Sequence, residues 1–161
     1  MDEMPRIHTV TVIGPTVLGV KWRHGPSDRI DLAGWIGTGG ELLTSLARAD
    51  VFAAAAVDEY GAAVVWDDGD LAIDAVHLQK LAEEQRPFGA PEAAEWQQAL
   101  GLSNQEAADL LGIQPSTWHL YKTSGSVPTA VALACRAARR DPLILHAHYR
   151  PRRPGRPRQQ A

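Results

Sequence analysis

Along the first 75 residues apolar and polar positions tend to alternate, and beyond Pro91 the apolar positions recur every third or fourth place. HTVTVIG and TVLGVKW are β-branched runs parted by Gly14-Pro15, which predicts a hairpin of about His8–Ile13 and Val17–Trp22. Pro26 breaks the chain, and RIDLAGW is expected as a short third strand. ELLTSLA has helical spacing and predicts a short helix. A second hairpin is expected where Ala54–Val57 and Ala62–Trp66 flank Asp58-Glu59-Tyr60-Gly61, because Gly61 can take a positive φ. DAVHLQKLAEEQ follows as a helix, with Asp74 at its N-cap and Leu78 and Leu81 inward.

RPFGAP, from Arg86 to Pro91, puts two prolines and a glycine between helical patterns and predicts a linker. The expected organisation is an α+β unit over 1–86, an all-α unit over 87–150 and an Arg/Pro-rich tail over 151–161. In the second unit, EAAEWQQALG makes a helix with Pro91 at its first position and Gly101 closing it. Ser103 and Glu106 form a capping-box pattern, so the next helix starts at Asn104 and ends with Leu110 and Leu111. Gly112 suits the left-handed turn, and Pro115 restarts the chain as a third helix through about Lys122. Ala107, Leu111, Ile113, Trp118 and Tyr121 take the inward positions, with the small Ala108 where two helices cross. Together these features predict a helix-turn-helix.

Charge complicates that expectation. The net charge of -3 is segregated: residues 1–90 hold 7 Lys and Arg against 14 acids, residues 91–134 hold 1 against 4, and residues 135–161 hold 8 against 1. Within the helix-turn-helix stretch Lys122 faces Glu92, Glu95, Glu106 and Asp109. Affinity for DNA comes largely from basic residues neutralising phosphates. The compensating cations lie downstream, as Arg136, Arg139 and Arg140 in RAARR and as Arg150, Arg152, Arg153, Arg156 and Arg158 in RPRRPGRPRQQA. Prolines favour an extended path for that tail, which suits the narrow minor groove.

Two stretches carry resemblances. VLGVKW, IDL, VDEYG and VVWDDGDL resemble a small bacterial family, the domain of unknown function 2442, over roughly Ile7 to Leu81. That likeness implies an α+β fold and no agreed activity. LSNQEAADLLGI and VPTAVALACRA resemble the Cro/C1-type repressors over roughly Trp96 to Ala138. The resemblance implies that the third helix enters the major groove of double-stranded DNA, with Pro115, Ser116, Thr117 and Leu120 toward it. It places His119 near the backbone and Asn104 at a phosphate. Gln114, Lys122, Arg136, Arg140, Arg152, Arg153, Arg156 and Arg158 complete the expected DNA-binding set. Where the family carries Gln, Arg or Asn, this chain has Pro115, Ser116, Thr117 and Leu120, so direct base readout is thin. RPGRPR resembles an AT-hook, with Pro154 in place of the Arg before the glycine.

The remaining chemistry narrows the function. Cys135 is a single cysteine in an apolar run, which excludes a disulfide within the chain and fits a reducing compartment. No signal-peptide pattern and no run of 18 apolar residues is present, so a cytoplasmic protein without a membrane partner is expected. His146 and His148, two apart on a helix, point away from each other, and DDGD lacks calcium-loop spacing, so no metal or cofactor is expected. No nucleophile elbow or phosphate loop appears, and the chain is not expected to be an enzyme. The expectation is a homodimeric bacterial transcriptional regulator. An antitoxin or adaptor stays open beside it, acting on a protein partner through the acidic N-terminal domain, with the helix-turn-helix kept for dimerisation or autoregulation.

Overall fold

The computed structural model describes residues 3–153. The fold is α+β, with small antiparallel sheets first and helices after them. It divides into two compact units, Met1–Arg86 and Pro87–Ala161.

In the first unit β1 (Ile7–Val12), β2 (Val17–Trp22) and β3 (Asp28–Asp31) form one antiparallel sheet in that order. The expected third strand stops at Asp31. There the Asp31 carboxylate accepts the Ala33 N–H at 2.9 Å and turns LAGW into α1 (Ala33–Thr38). The expected ELLTSLA helix is a 3-10 helix over Gly40–Ala47, and a short α2 (Ala49–Phe52) follows. The second sheet is β4 (Ala56–Val57), β5 (Ala63–Trp66) and β6 (Leu71–Asp74). Here β4 is shorter than the alternation suggested, and β6 was not foreseen, because four residues hold too few alternations to stand out. DDGD is a tight turn, and Asp74 caps α3 (Ala75–Gln85) by accepting the His77 N–H at 2.8 Å.

Both sheets and α3 close on one core, which includes Ile7, Leu18, Ile30, Phe52, Val64, Trp66 and Leu78. The Trp66 indole reaches the Phe52 carbonyl at 3.0 Å, so its one polar atom is satisfied inside. The open edge of β3 is covered by a side chain. Gln85 accepts the Asp31 N–H and donates to the Asp31 carbonyl, both at 2.8 Å, standing in for a neighbouring strand. One residue on, Arg86 grips Asp28 at 2.8 and 3.0 Å, and this guanidinium holds the Asp28 carboxyl below its ordinary range.

The second unit is α4 (Ala90–Ala99), α5 (Asn104–Leu111), α6 (Pro115–Thr123), α7 (Thr129–Arg140) and α8 (Pro142–His148). Pro91 sits one place inside α4 instead of opening it, because Gly89 is the N-cap and its N–H donates to the Glu92 carboxylate at 2.8 Å. Ser103 and Glu106 close the capping box of α5 in both directions, and Gly112 ends that helix at φ +68°.

β1 also meets the turn of the second hairpin at a point that only glycine permits. The Ile7 N–H donates to the Gly61 carbonyl at 2.8 Å, Gly61 has φ +69°, and a Cβ there would lie 2.4 Å from the Ile7 oxygen. Gly61→Ala is expected to cost about 2–4 kcal/mol, from left-handed strain plus displaced backbone. Urea unfolding followed by tryptophan fluorescence checks it.

Candidate nucleic-acid interface

The candidate site is the outer side of α5 and α6, and its frame is aromatic. Trp96 of α4 and Trp118 of α6 meet edge to face with centroids 5.5 Å apart, both buried. Gln97 fixes the pair: it accepts the Trp118 indole N–H at 2.7 Å and donates to the Leu102 carbonyl at 3.0 Å. Ala107 and Ala108 are fully buried, and Leu111, Ile113 and Tyr121 pack half-buried against the same core. Cys135 is buried beside them, and desolvation pushes its thiol up to about 12, so it is an inert core residue.

With Trp118 inward, the opposite side of α6 meets water. Ser116, His119 and Leu120 are exposed, at the spacing of one helix face, and Leu120 keeps 54% of its surface. Thr117 and Pro115 are half-buried, and Gln114 is exposed at the N-cap without a side-chain cap bond. The first amides of α6 therefore carry no side-chain cap, which is the arrangement that favours an anion. At the other end of α6, Lys122 donates to the Asn104 side chain, joining the last turn of α6 to the first of α5.

Each of the four acids of this stretch has a partner inside the unit. Glu92 caps α4, and Glu95 meets Arg139 at 3.2 Å. Glu106 closes the α5 capping box and also takes the Tyr149 hydroxyl. Asp109 takes Arg152 in a fork, Nε at 2.7 Å and Nη2 at 3.0 Å, while Nη1 of the same arginine reaches Gln105 at 3.0 Å.

The downstream arginines are distributed differently from a single cationic face. Arg136 lies 5.2 Å over the Phe88 ring, half-buried. Arg140 is exposed one turn further along α7 and has a partner of its own. Asp141 caps α8 through the Leu143 N–H at 2.9 Å. From there Tyr149 packs on the core and Arg152 lies on α5, so the chain after α8 is strapped across that helix. Arg150 turns back to the carbonyls of Ala147 and Tyr149, and Arg153 is exposed. Arg156 and Arg158 lie outside the described residues.

Tyr149 and Gln105 had no mark in the sequence, and Asp109 stood out only as an uncompensated acid, since residues 43 and 47 places apart meet only in the folded chain. Among the described residues no three or more His, Cys, Asp or Glu side chains are grouped to hold a metal ion, and His146 and His148 are exposed on α8. Among them, too, no helix is long and apolar enough to cross a membrane.

No protein-family model matches the chain, and no curated protein matches it. Among solved structures it is similar to a candidate DNA-binding protein from Nitrosomonas europaea, at 23% identity and a TM-score of 0.47. The likeness spans 86% of this chain and 90% of that one.

The strap should titrate at both ends of the pH scale. The Tyr149 hydroxyl first, then Ser103, hold the Glu106 carboxyl below its ordinary 4.5. Glu106 in turn holds the Tyr149 phenol above its ordinary 10.0. A lowered carboxyl pKa stabilises above 4.5 and loses this as pH falls through the folded value. A raised phenol pKa stabilises below 10.0 and loses this as pH rises through the folded value. The Tyr149 ring signals in an NMR titration are therefore expected to stay flat between those limits, with one step below 4.5 and another above 10.0. Steps at the ordinary values would contradict the contact.

Proposed function

We propose that this protein is a DNA-binding regulator that acts as a homodimer, with α5 and α6 as its DNA face. The observation that carries the reading is the bare side of α6. Ser116, His119 and Leu120 stand in water on a helix that Trp118 anchors from behind, and its first amides lack a side-chain cap. A helix N-terminus of that kind attracts a phosphate or enters a groove. Gln114, Ser116 and Thr117 take the groove-facing role, His119 flanks the backbone, and the Asn104–Lys122 pair meets a phosphate. Arg136 and Arg140 add charge on α7, and Arg153, Arg156 and Arg158 reach the backbone or minor groove.

Recognition in this reading leans on phosphates and DNA shape. Hydroxyls pair with several bases, and Leu120 offers only contact with a thymine methyl. Two copies would sit on half-sites roughly 34 Å apart. Nothing in the reading calls for catalysis. The acidic first unit favours a second reading, because it exposes Leu42 at 80% and Tyr60 at 67%. An antitoxin or adaptor would cover such residues with a protein partner.

Fluorescence anisotropy of the intact chain on DNA from its own upstream region, with scrambled DNA beside it, tests the first reading. Selective binding with a steep salt dependence is expected. The Ser116→Ala/Thr117→Ala double variant should bind about 3- to 10-fold more weakly, the worth of one or two neutral hydrogen bonds. Unchanged affinity and selectivity in that variant would remove α6 as the reader. No selective binding by the intact chain would turn the function over to a protein partner.

A further inference from the structure

Gln105 and Asp109 are four apart and share a face of α5, and Arg152 bridges them. Three of the five guanidinium N–H groups are used in that bridge, at 2.7 to 3.0 Å. A fork on a carboxylate is among the stronger pairings open to an arginine, and a phosphate would have to displace Asp109 to claim it. The strap has a second anchor, the Tyr149 hydroxyl on Glu106, three residues away on both strands of contact. Tyr149 is also packed on the core, so the segment is fixed by apolar burial as well as by charge.

Position gives the pairing a consequence. Asn104 opens α5 and is tied to Lys122, the phosphate-facing edge of the reading above. Asp109 lies five residues further along the same helix, about 7.5 Å along its axis and roughly 140° around it. An uncovered carboxylate there would add a negative charge to the helix that the phosphates approach, and at low salt, where the Debye length reaches about 30 Å, they would feel it.

We propose that the segment from Tyr149 to Arg152 is a docked strap that serves DNA binding by cancelling the charge of Asp109. Arg152 is then a positioning residue, acting through Asp109, and not a phosphate contact. The inference rests on the DNA-binding reading and reassigns Arg152, which the sequence placed among the DNA contacts. It also means that a chain cut after Tyr149 loses the Arg152 end of the strap as well as the tail, while a chain cut after Arg153 keeps both anchors.

A double-mutant cycle on the full-length chain separates cancellation from contact. Arg152→Ala, Asp109→Asn and the double variant are titrated against upstream DNA at several salt concentrations, with thermal midpoints read alongside. Under cancellation, Arg152→Ala binds about 5- to 10-fold more weakly than wild type. The double variant returns to within about twofold and keeps the wild-type salt slope, because no phosphate contact is lost. The inference is overturned if Arg152→Ala costs the same factor in both Asp109 backgrounds, with the slope smaller by about 0.9 each time, the signature of one lost contact. It is equally overturned if Arg152→Ala changes nothing. Failure of the wild-type chain to bind DNA at all is a separate result: it sinks the DNA-binding reading before any variant is compared, and this inference with it.

Discussion

Trp118 is the residue on which the second unit turns. Its ring rests edge-on against Trp96, and its single N–H is spent on Gln97, which also holds the carbonyl of Leu102 at the start of the next segment. One side chain therefore fixes the roll of α6, its distance from α4 and the entry into α5. Which side of α6 faces water follows from that roll. Ser116, His119 and Leu120 are exposed because Trp118 is not, and α5 fits against α6 because Ala107 and Ala108 leave room for it. Burial of the two rings supplies apolar area that short, alanine-rich helices lack.

Charge follows a similar economy. A segment with four acids and one lysine is a poor candidate for a polyanion when its residues are counted along the chain. In the fold those acids have other work: Glu92 and Glu106 cap helices, and Glu95 and Asp109 hold arginines that come from α7 and from the chain beyond α8. The surface pair between Glu95 and Arg139 is exposed on both sides and adds little stability. The strap on α5 differs, since a forked contact, a phenol and a packed ring act together. Net charge along the sequence is thus a poor guide to the field at the face of α6, because opposite charges distant in sequence have already met.

The first unit manages sheet edges and sheet contacts with single residues. Gln85 finishes β3 as a strand would, and Gly61 lets β1 approach the second hairpin closely enough for a backbone hydrogen bond. Neither acts through bulk hydrophobicity. Leu42 and Tyr60 are among the large apolar side chains of this unit that its own core leaves uncovered.

Local patterns carried much of this architecture. The first hairpin, the caps at Asp74 and Ser103 and the left-handed Gly112 depend on neighbours a few places apart, so the sequence alone determined them. The same holds for the inward set of α5 and α6, since helical period and residue volume are local properties. α1 and β6 escaped because each is only a few residues long. The 3-10 form of Gly40–Ala47 escaped because helical spacing does not distinguish a tight helix from an ordinary one over eight residues. What the tertiary structure alone decided is pairing over distance: Gln97 with Trp118, Lys122 with Asn104, Tyr149 with Glu106 and Arg152 with Asp109. The chain holds 16 Lys and Arg and 19 acids, and composition gives no reason for one pairing over another. Only the packed helices bring one arginine to one carboxylate, and that choice separates an arginine held by the protein from one left for a partner.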